Sequence, residues 1–106
     1  MLNISDLQNL CSDESTAITK HARQRLAERG ISIDDVQNAI RTGEIIKQYE
    51  DDKPFPSCLL LGQAEKDTKI HVVVSIDNGF LYIITAYHPD ENEWESDLKT
   101  RKVEKS

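Results

Sequence analysis

The residue types best suited to phosphate chemistry lie along one edge of a predicted basic helix. Residues 19–30 are rich in good helix formers, and no β-branched residue lies between Lys20 and Arg29. At 100° per residue, His21, Arg25 and Arg29 fall along one edge, and Lys20 lies in the first turn. An imidazole titrates near neutral pH, and guanidinium groups bind phosphates well. The edge therefore predicts an anion site with His21 as general acid or base, although an ordinary solvated helix edge has the same pattern.

A second group of polar residues follows the apolar part of the last predicted strand. By strand alternation, Thr85 and Tyr87 share one face with Leu81 and Ile83. A change from apolar to hydroxyl-bearing side chains along one face is typical of the rim of a cleft. Tyr87 could stack on a base or bind a phosphate there. The alternative is a structural one, in which these residues form the edge of the core and their polar groups are hydrogen-bonded within the protein.

Other chemistry-bearing residues give weaker signals. Arg101 and Lys99 could reach back to an anion site, although basic residues near a chain end are usually exposed. His71 lies between apolar strand residues and is interpreted as a half-buried strand histidine. The three histidines and two cysteines have no metal-ligand spacing, and no glycine-rich phosphate loop is present. We therefore predict neither a metal site nor a cofactor.

The charge distribution favours a small anion contact over a long nucleic-acid groove. The 106 residues carry a formal net charge of −6, with 38% hydrophobic and 30% charged residues. Residues 19–30 alone carry +3, so the remainder carries −9. The composition predicts one soluble domain without a membrane segment. An N-terminus with no signal-peptide pattern and two cysteines without short spacing predict a cytoplasmic protein with reduced thiols.

Helix signals dominate the first part of the chain. Ser5 predicts the start of a short helix over residues 5–12. Thr19 and Gly30 are the expected caps of the basic helix. Ser32 and Asp35 form a capping-box pattern at the start of the next helix, which should end near residues 42–43.

Strand signals follow from residue 44 onward. Four strands are predicted, over residues 44–50, 57–61, 69–76 and 80–88, and Asn78-Gly79 is typical of a hairpin turn. Trp94 is expected to fold back as an anchor, and residues 97–106 to form a charged tail, frayed or with a turn of helix. These elements predict one α+β domain with its core in about residues 17–101 and N-terminal helices packed on a four-stranded antiparallel meander.

Two separated segments resemble an uncharacterised bacterial family. The first is H-A-R-Q-R-L-A-E-R-G-I, from His21 to Ile31, and the second is T-A-Y-H-P-D, from Thr85 to Asp90, with Trp94 shortly after it. This family, a domain of unknown function, is similar in layout to the RelE and barnase-like ribonuclease toxins. The resemblance implies RNA cleavage without a metal and a cognate antitoxin as partner. Its site residues would be His21, Arg25, Arg29, Thr85 and Tyr87.

The leading hypothesis is therefore a toxin-like, metal-independent endoribonuclease. In it His21, Arg25 and Tyr87 are catalytic, and the substrate-binding residues are Lys20, Arg29, Thr85 and Arg101. The alternative, favoured by the acidic net charge, is a non-catalytic module that docks a protein or a phosphate-bearing ligand. A third reading is a structural domain in which the arginines pair with surplus acidic residues.

Overall fold

The computed structural model describes residues 1–65 and 67–102. In chain order the elements are α1 (Ile4–Asn9), β1 (Thr16–Ile18), α2 (Lys20–Glu28), α3 (Ile33–Thr42), β2 (Glu44–Tyr49), β3 (Ser57–Gln63), β4 (Lys69–Asp77) and β5 (Phe80–Tyr87). The α+β class and the four longer strands agree with the sequence prediction. None of the described helices is both long enough and apolar enough to cross a bilayer.

The sheet has five strands and is mixed, so the prediction of four antiparallel strands is wrong. Its order is β1-β5-β4-β3-β2, and β1 pairs in parallel with β5 while the other pairs are antiparallel. Strand β1 contains only three half-buried residues, which is too short for an alternation to be recognised. Its partner is more than 60 residues away in sequence, because Thr16 pairs with Leu81. Local patterns contain no information about such a pairing.

The helix starts follow the capping chemistry closely. Thr19 accepts a hydrogen bond from the backbone N–H of Ala22 at 3.0 Å. Ser32 and Asp35 form both bonds of the predicted capping box, each at 2.9 Å. The predicted cap of α1 is wrong: Asn3, not Ser5, caps that helix by accepting from the Ser5 N–H at 2.8 Å. Asn and Ser are about equally good N-caps, so the sequence does not rank the two positions.

The core lies between one face of the sheet and the helices. Leu26, Val36 and Ile40 of the helices pack against Leu60 and Val72 of the sheet, and all five side chains are buried. Cys11 and Cys58 belong to the same cluster and are free thiols. Burial raises the pKa of Cys58 to about 11, so this thiol stays protonated at neutral pH.

A bulge in β5 reverses the alternation that the sequence suggested. Val74 pairs with Ile83 and Val73 pairs with Thr85, which leaves Ile84 as an extra residue. Thr85 and Tyr87 therefore lie on the face opposite Leu81 and Ile83, and the prediction that the four share a face is wrong. We call this side the outer face of the sheet. It is defined by His71, Val73 and Ser75 of β4 together with their partners on β5.

Candidate functional site

The segment after β5 folds back across the outer face of the sheet. Trp94 is 5% exposed, and its ring meets the His71 ring edge to face with the centroids 4.5 Å apart. A bridge between Trp94 and Arg101 closes the segment into a loop. Trp94 is thus the anchor that the sequence predicted. Residues 97–102 of the predicted tail belong to this loop, and residues 103–106 lie outside the described part of the chain.

Asp97 organises the loop that this bridge closes. Its carboxylate accepts hydrogen bonds from the backbone N–H groups of Lys99 and Thr100 and from the Thr100 hydroxyl. These bonds to the charged form hold the pKa of Asp97 below its usual range. The neighbouring basic side chains of the loop are thereby held beside the sheet.

A pocket of about 260 Å³ lies between the loop, β2 and β5. We call it the cationic pocket; its lining comprises three basic residues, three aromatic residues and one aliphatic residue, namely Lys47, Lys99, Arg101, Tyr49, Tyr87, Trp94 and Ile46. Basic groups bind phosphate oxygens, and aromatic rings stack on bases. The lining is thus suited to a short piece of single-stranded nucleic acid.

The three basic groups of the cationic pocket differ in how they are paired. Lys99 forms an ion pair with Glu44, and the Arg101 guanidinium lies 3.8 Å from Glu93 and 5.3 Å from the Trp94 ring centroid. The Lys47 ammonium lies 5.4 Å from the Tyr49 ring centroid and has no carboxylate partner among the described residues. Exposed ion pairs contribute at most about 1 kcal/mol, so a phosphate can replace the carboxylates at little cost.

Beneath the pocket, a fully buried histidine contacts Tyr87. His71 Nδ1 lies 3.4 Å from the Tyr87 hydroxyl oxygen, and His71 Nε2 lies 2.7 Å from the backbone oxygen of Leu98. Burial lowers the pKa of His71 and raises the pKa of Tyr87. His71 is more buried than the sequence suggested, since its relative exposure is 0%.

Two other predicted residues meet beside Tyr87. Arg29 Nη1 donates hydrogen bonds to the Thr85 hydroxyl at 3.0 Å and to the Ala86 carbonyl at 2.8 Å. Arg29 also lies close enough to Tyr87 to lower its pKa slightly, against the larger effect of burial. Arg29 therefore ties the end of α2 to the polar end of β5.

Replacing Arg29 with Gln should lower the free energy of unfolding by about 1–2 kcal/mol, because both charge-assisted hydrogen bonds to β5 are lost. Arg25→Gln is the matched control, since the Arg25 side chain is exposed and forms no hydrogen bond or ion pair with a described residue. Its effect should stay within about 0.5 kcal/mol. Urea unfolding of both variants measures the difference, and equal losses would show that Arg29 does not hold β5.

The first turn of α2 lies at a different cavity. His21 contributes to a space of about 560 Å³ whose other walls include Phe55, Tyr82 and Ile84. Tyr87 does not line this cavity, and His21 does not line the cationic pocket. His21 and Arg29 are separated by about 12 Å along the axis of α2, so only the far end of the helix approaches Tyr87.

The predicted site residues are thus only partly brought together. Arg29, Thr85, Tyr87 and Arg101 lie around the polar end of β5, while His21, Lys20 and Arg25 lie on exposed turns of α2.

Sequence reasoning gave no site role to four residues that line or support the pocket: Lys47, Tyr49, His71 and Trp94. Lys47 and Tyr49 are two residues apart, so strand alternation places their side chains on one face of β2. This spacing was the feature of the sequence that could have identified them as site residues. Among the described residues, no three His, Cys, Asp or Glu side chains are grouped as metal ligands.

Comparison with known proteins identifies a family. A family model described as a domain of unknown function, DUF4258, matches residues 18–88. No curated protein and no solved structure matches the chain. The matched residues include α2 and Tyr87 but end before Trp94, Lys99 and Arg101, so part of the cationic pocket comes from outside the match. Because the match covers more than half of the 106 residues, this chain belongs to the DUF4258 family.

Proposed function

We propose that this protein is a metal-independent endoribonuclease of the toxin type, and that the cationic pocket is where it binds and cuts RNA. The combination of Lys47, Lys99 and Arg101 with three aromatic rings in one pocket carries the proposal. The α+β layout, in which helices pack on one sheet, is similar to that of RelE and barnase-like toxins and supports it. A pocket of about 260 Å³ holds one or two nucleotides rather than a duplex.

The reaction would be an internal transesterification of RNA. The 2′-oxygen bonds to the adjacent phosphorus, the bond from phosphorus to the 5′-oxygen breaks, and the products are a 2′,3′-cyclic phosphate and a 5′-hydroxyl. Lys47 and Arg101 would stabilise the negative charge that develops on the phosphoryl oxygens. Tyr87 would exchange protons with the reacting hydroxyl, since its hydroxyl lies in the pocket wall.

The other predicted residues have indirect roles in this proposal. Arg29 and Thr85 hold the end of β5 that carries Tyr87. His21, Lys20 and Arg25 transfer no proton and bind no scissile phosphate, because they do not line the pocket. They remain exposed on α2.

Product analysis tests the proposal. The purified protein is incubated with a single-stranded RNA in EDTA, and the ends of the fragments are identified by mass spectrometry. Fragments ending in 2′,3′-cyclic phosphate are expected, and an RNA carrying a 2′-deoxy nucleotide at the cut should stay intact. Intact RNA under all conditions, or cleavage of the deoxy substrate, would contradict the proposal.

A second candidate function, a non-catalytic protein-docking module, is favoured by the cavity at His21. Phe55 and Ile84 both line it and are 40% and 43% exposed, so two large apolar side chains are open to solvent in the same cavity. Four carboxylates lie in this cavity and in the one next to it: Glu50, Asp51, Asp52 and Asp77. The surface therefore suits a partner segment with apolar and basic side chains, and a cognate antitoxin would be one such partner.

Expression in a bacterial host separates the two candidates. A ribonuclease should arrest growth, and Tyr87→Phe should relieve the arrest. A docking module should leave growth unchanged in both forms. Growth arrest that persists in the Tyr87→Phe protein would count against the catalytic proposal.

A further inference from the structure

We infer that His71 is a positioning residue that receives the Tyr87 proton, so that the two side chains form a proton relay beneath the bound RNA. This inference depends on the proposed ribonuclease function and assigns the group that completes its proton transfer. His71 is fully buried and does not line the cationic pocket, so it must act through Tyr87.

The hydrogen bonds of His71 determine its tautomer. A backbone carbonyl only accepts hydrogen bonds, so the 2.7 Å contact with the Leu98 oxygen requires a proton on His71 Nε2. In the neutral ring Nδ1 then carries a lone pair. This lone pair faces the Tyr87 hydroxyl at 3.4 Å, and the hydroxyl donates to it. The lone pairs of the phenolic oxygen remain available to a group in the pocket.

The surroundings of the ring keep it neutral. The described side chains in ring contact with it are Tyr87 and Trp94, and neither carries a charge at neutral pH. The charged groups that act on Tyr87 from the elements around it are Glu93 and Arg101 of the loop and Arg29 of α2, with Tyr49 of β2 as a further titratable group. Burial also lowers the pKa of His71, while the Leu98 bond opposes this in part. The imidazole is therefore ready to accept a proton.

The relay removes a difficulty that Tyr87 alone would face. Burial raises the pKa of Tyr87 above its ordinary value of 10.0, so almost no tyrosinate exists at neutral pH. In the relay the 2′-hydroxyl gives its proton to the Tyr87 oxygen while the phenolic proton passes to His71 Nδ1. The leaving 5′-oxygen takes a proton from water, and His71 later returns its proton to solvent through Tyr87. No free tyrosinate is needed.

His71→Asn tests the relay against a role in packing alone. The Asn side-chain oxygen can still accept the Tyr87 hydrogen bond, but it takes no proton at neutral pH. Single-turnover cleavage should fall at least about 100-fold, as expected for Tyr87→Phe, while the affinity for a 2′-O-methylated RNA changes little. Retention of the rate within about tenfold would overturn the relay.

The pH profile and the NMR spectrum test the proton relay separately from packing, because a purely structural role of His71 would not affect either measurement. In the wild-type protein, the cleavage rate should rise with pH through an apparent pKa below 6.5, because only the neutral imidazole accepts a proton. His71→Asn should lose this rise. Imidazole nitrogen NMR of the wild-type protein, which needs no RNA, should show the tautomer protonated at Nε2.

The outcomes distinguish a failure of the proton relay from a failure of the proposed ribonuclease function. A wild-type protein that cuts RNA while His71→Asn keeps both its rate and its pH profile overturns the relay alone. A wild-type ring protonated at Nδ1 also overturns it, even if the variant fails to fold. A wild-type protein that leaves RNA intact overturns the ribonuclease proposal and the relay with it.

Discussion

Replacing Gly62 with alanine should lower the free energy of unfolding by about 3 kcal/mol or more, because α3 lies directly on β3 at this point. A Cβ at Gly62 would lie 2.0 Å from the backbone oxygen of Ala39 and 2.7 Å from its Cα. Both atoms belong to the backbone, so no side-chain rotation can relieve the overlap. The helix would have to move away from the sheet. Urea unfolding followed by circular dichroism measures the loss.

Gly79→Asn is the matched control for this prediction. Gly79 has a φ of +81° and no atom within 4 Å of a built Cβ, and asparagine tolerates this conformation better than most residues. Its effect should stay within about 1 kcal/mol. If Gly62→Ala unfolds at the same urea concentration as the wild-type protein, α3 does not lie this close to β3.

Neutralising two cations of the pocket should weaken RNA binding and its dependence on salt. In Lys47→Gln/Arg101→Gln, two phosphate contacts are lost. Each contact to single-stranded nucleic acid contributes a slope of about −0.7 to a plot of log affinity against log salt. The slope should therefore become shallower by about 1.4, with an affinity loss of about 10- to 100-fold at low salt. Fluorescence anisotropy with a labelled 2′-O-methylated RNA measures both quantities.

Lys20→Gln/Arg25→Gln is the control with the same change in net charge. Both residues are exposed on α2 and do not line the cationic pocket. This variant should keep nearly the wild-type slope, because long-range effects of exposed charges are screened by salt. A larger loss in the α2 variant would move the binding site to the helix edge that the sequence first suggested.

Features set by neighbouring residues could be predicted from the sequence. The capping box at Ser32 depends on residues three apart. The hairpin at Asn78 and Gly79 depends on two adjacent residues that adopt positive φ values of 54° and 81°. In each case the physical cause lies within one turn of chain, so a single sequence contains the information needed.

Features set by distant residues could not be predicted in the same way. The bulge at Ile84 depends on how β5 pairs with β4, and it moves Thr85 and Tyr87 to the outer face. Strand β1 forms only because its residues pair with the edge of β5. A two-residue alternation assumed through Ile84 therefore gave the wrong face for every residue after it.

In the candidate site, too, the residue types could be predicted from the sequence, but the contacts between distant residues could not. Tyr87 and Arg101 were predicted as site residues from the chemistry of their side chains. The fold brings both into one pocket. The role of His71 depends on the Leu98 carbonyl, whose position follows from the loop that Trp94 and Arg101 close. His21 was expected beside Tyr87, but α2 follows β1 directly, so its first turn lies near Ile83 and Ile84 instead.

The central claim is that RNA binds in the cationic pocket on the outer face of the sheet. Its most direct test is an NMR titration of the protein with a short 2′-O-methylated RNA, which binds without being cut. The largest amide shifts should fall in residues 46–49, 85–87 and 94–101, around the pocket. Shifts confined to residues 20–25 of α2, or no shifts at all, would contradict the account.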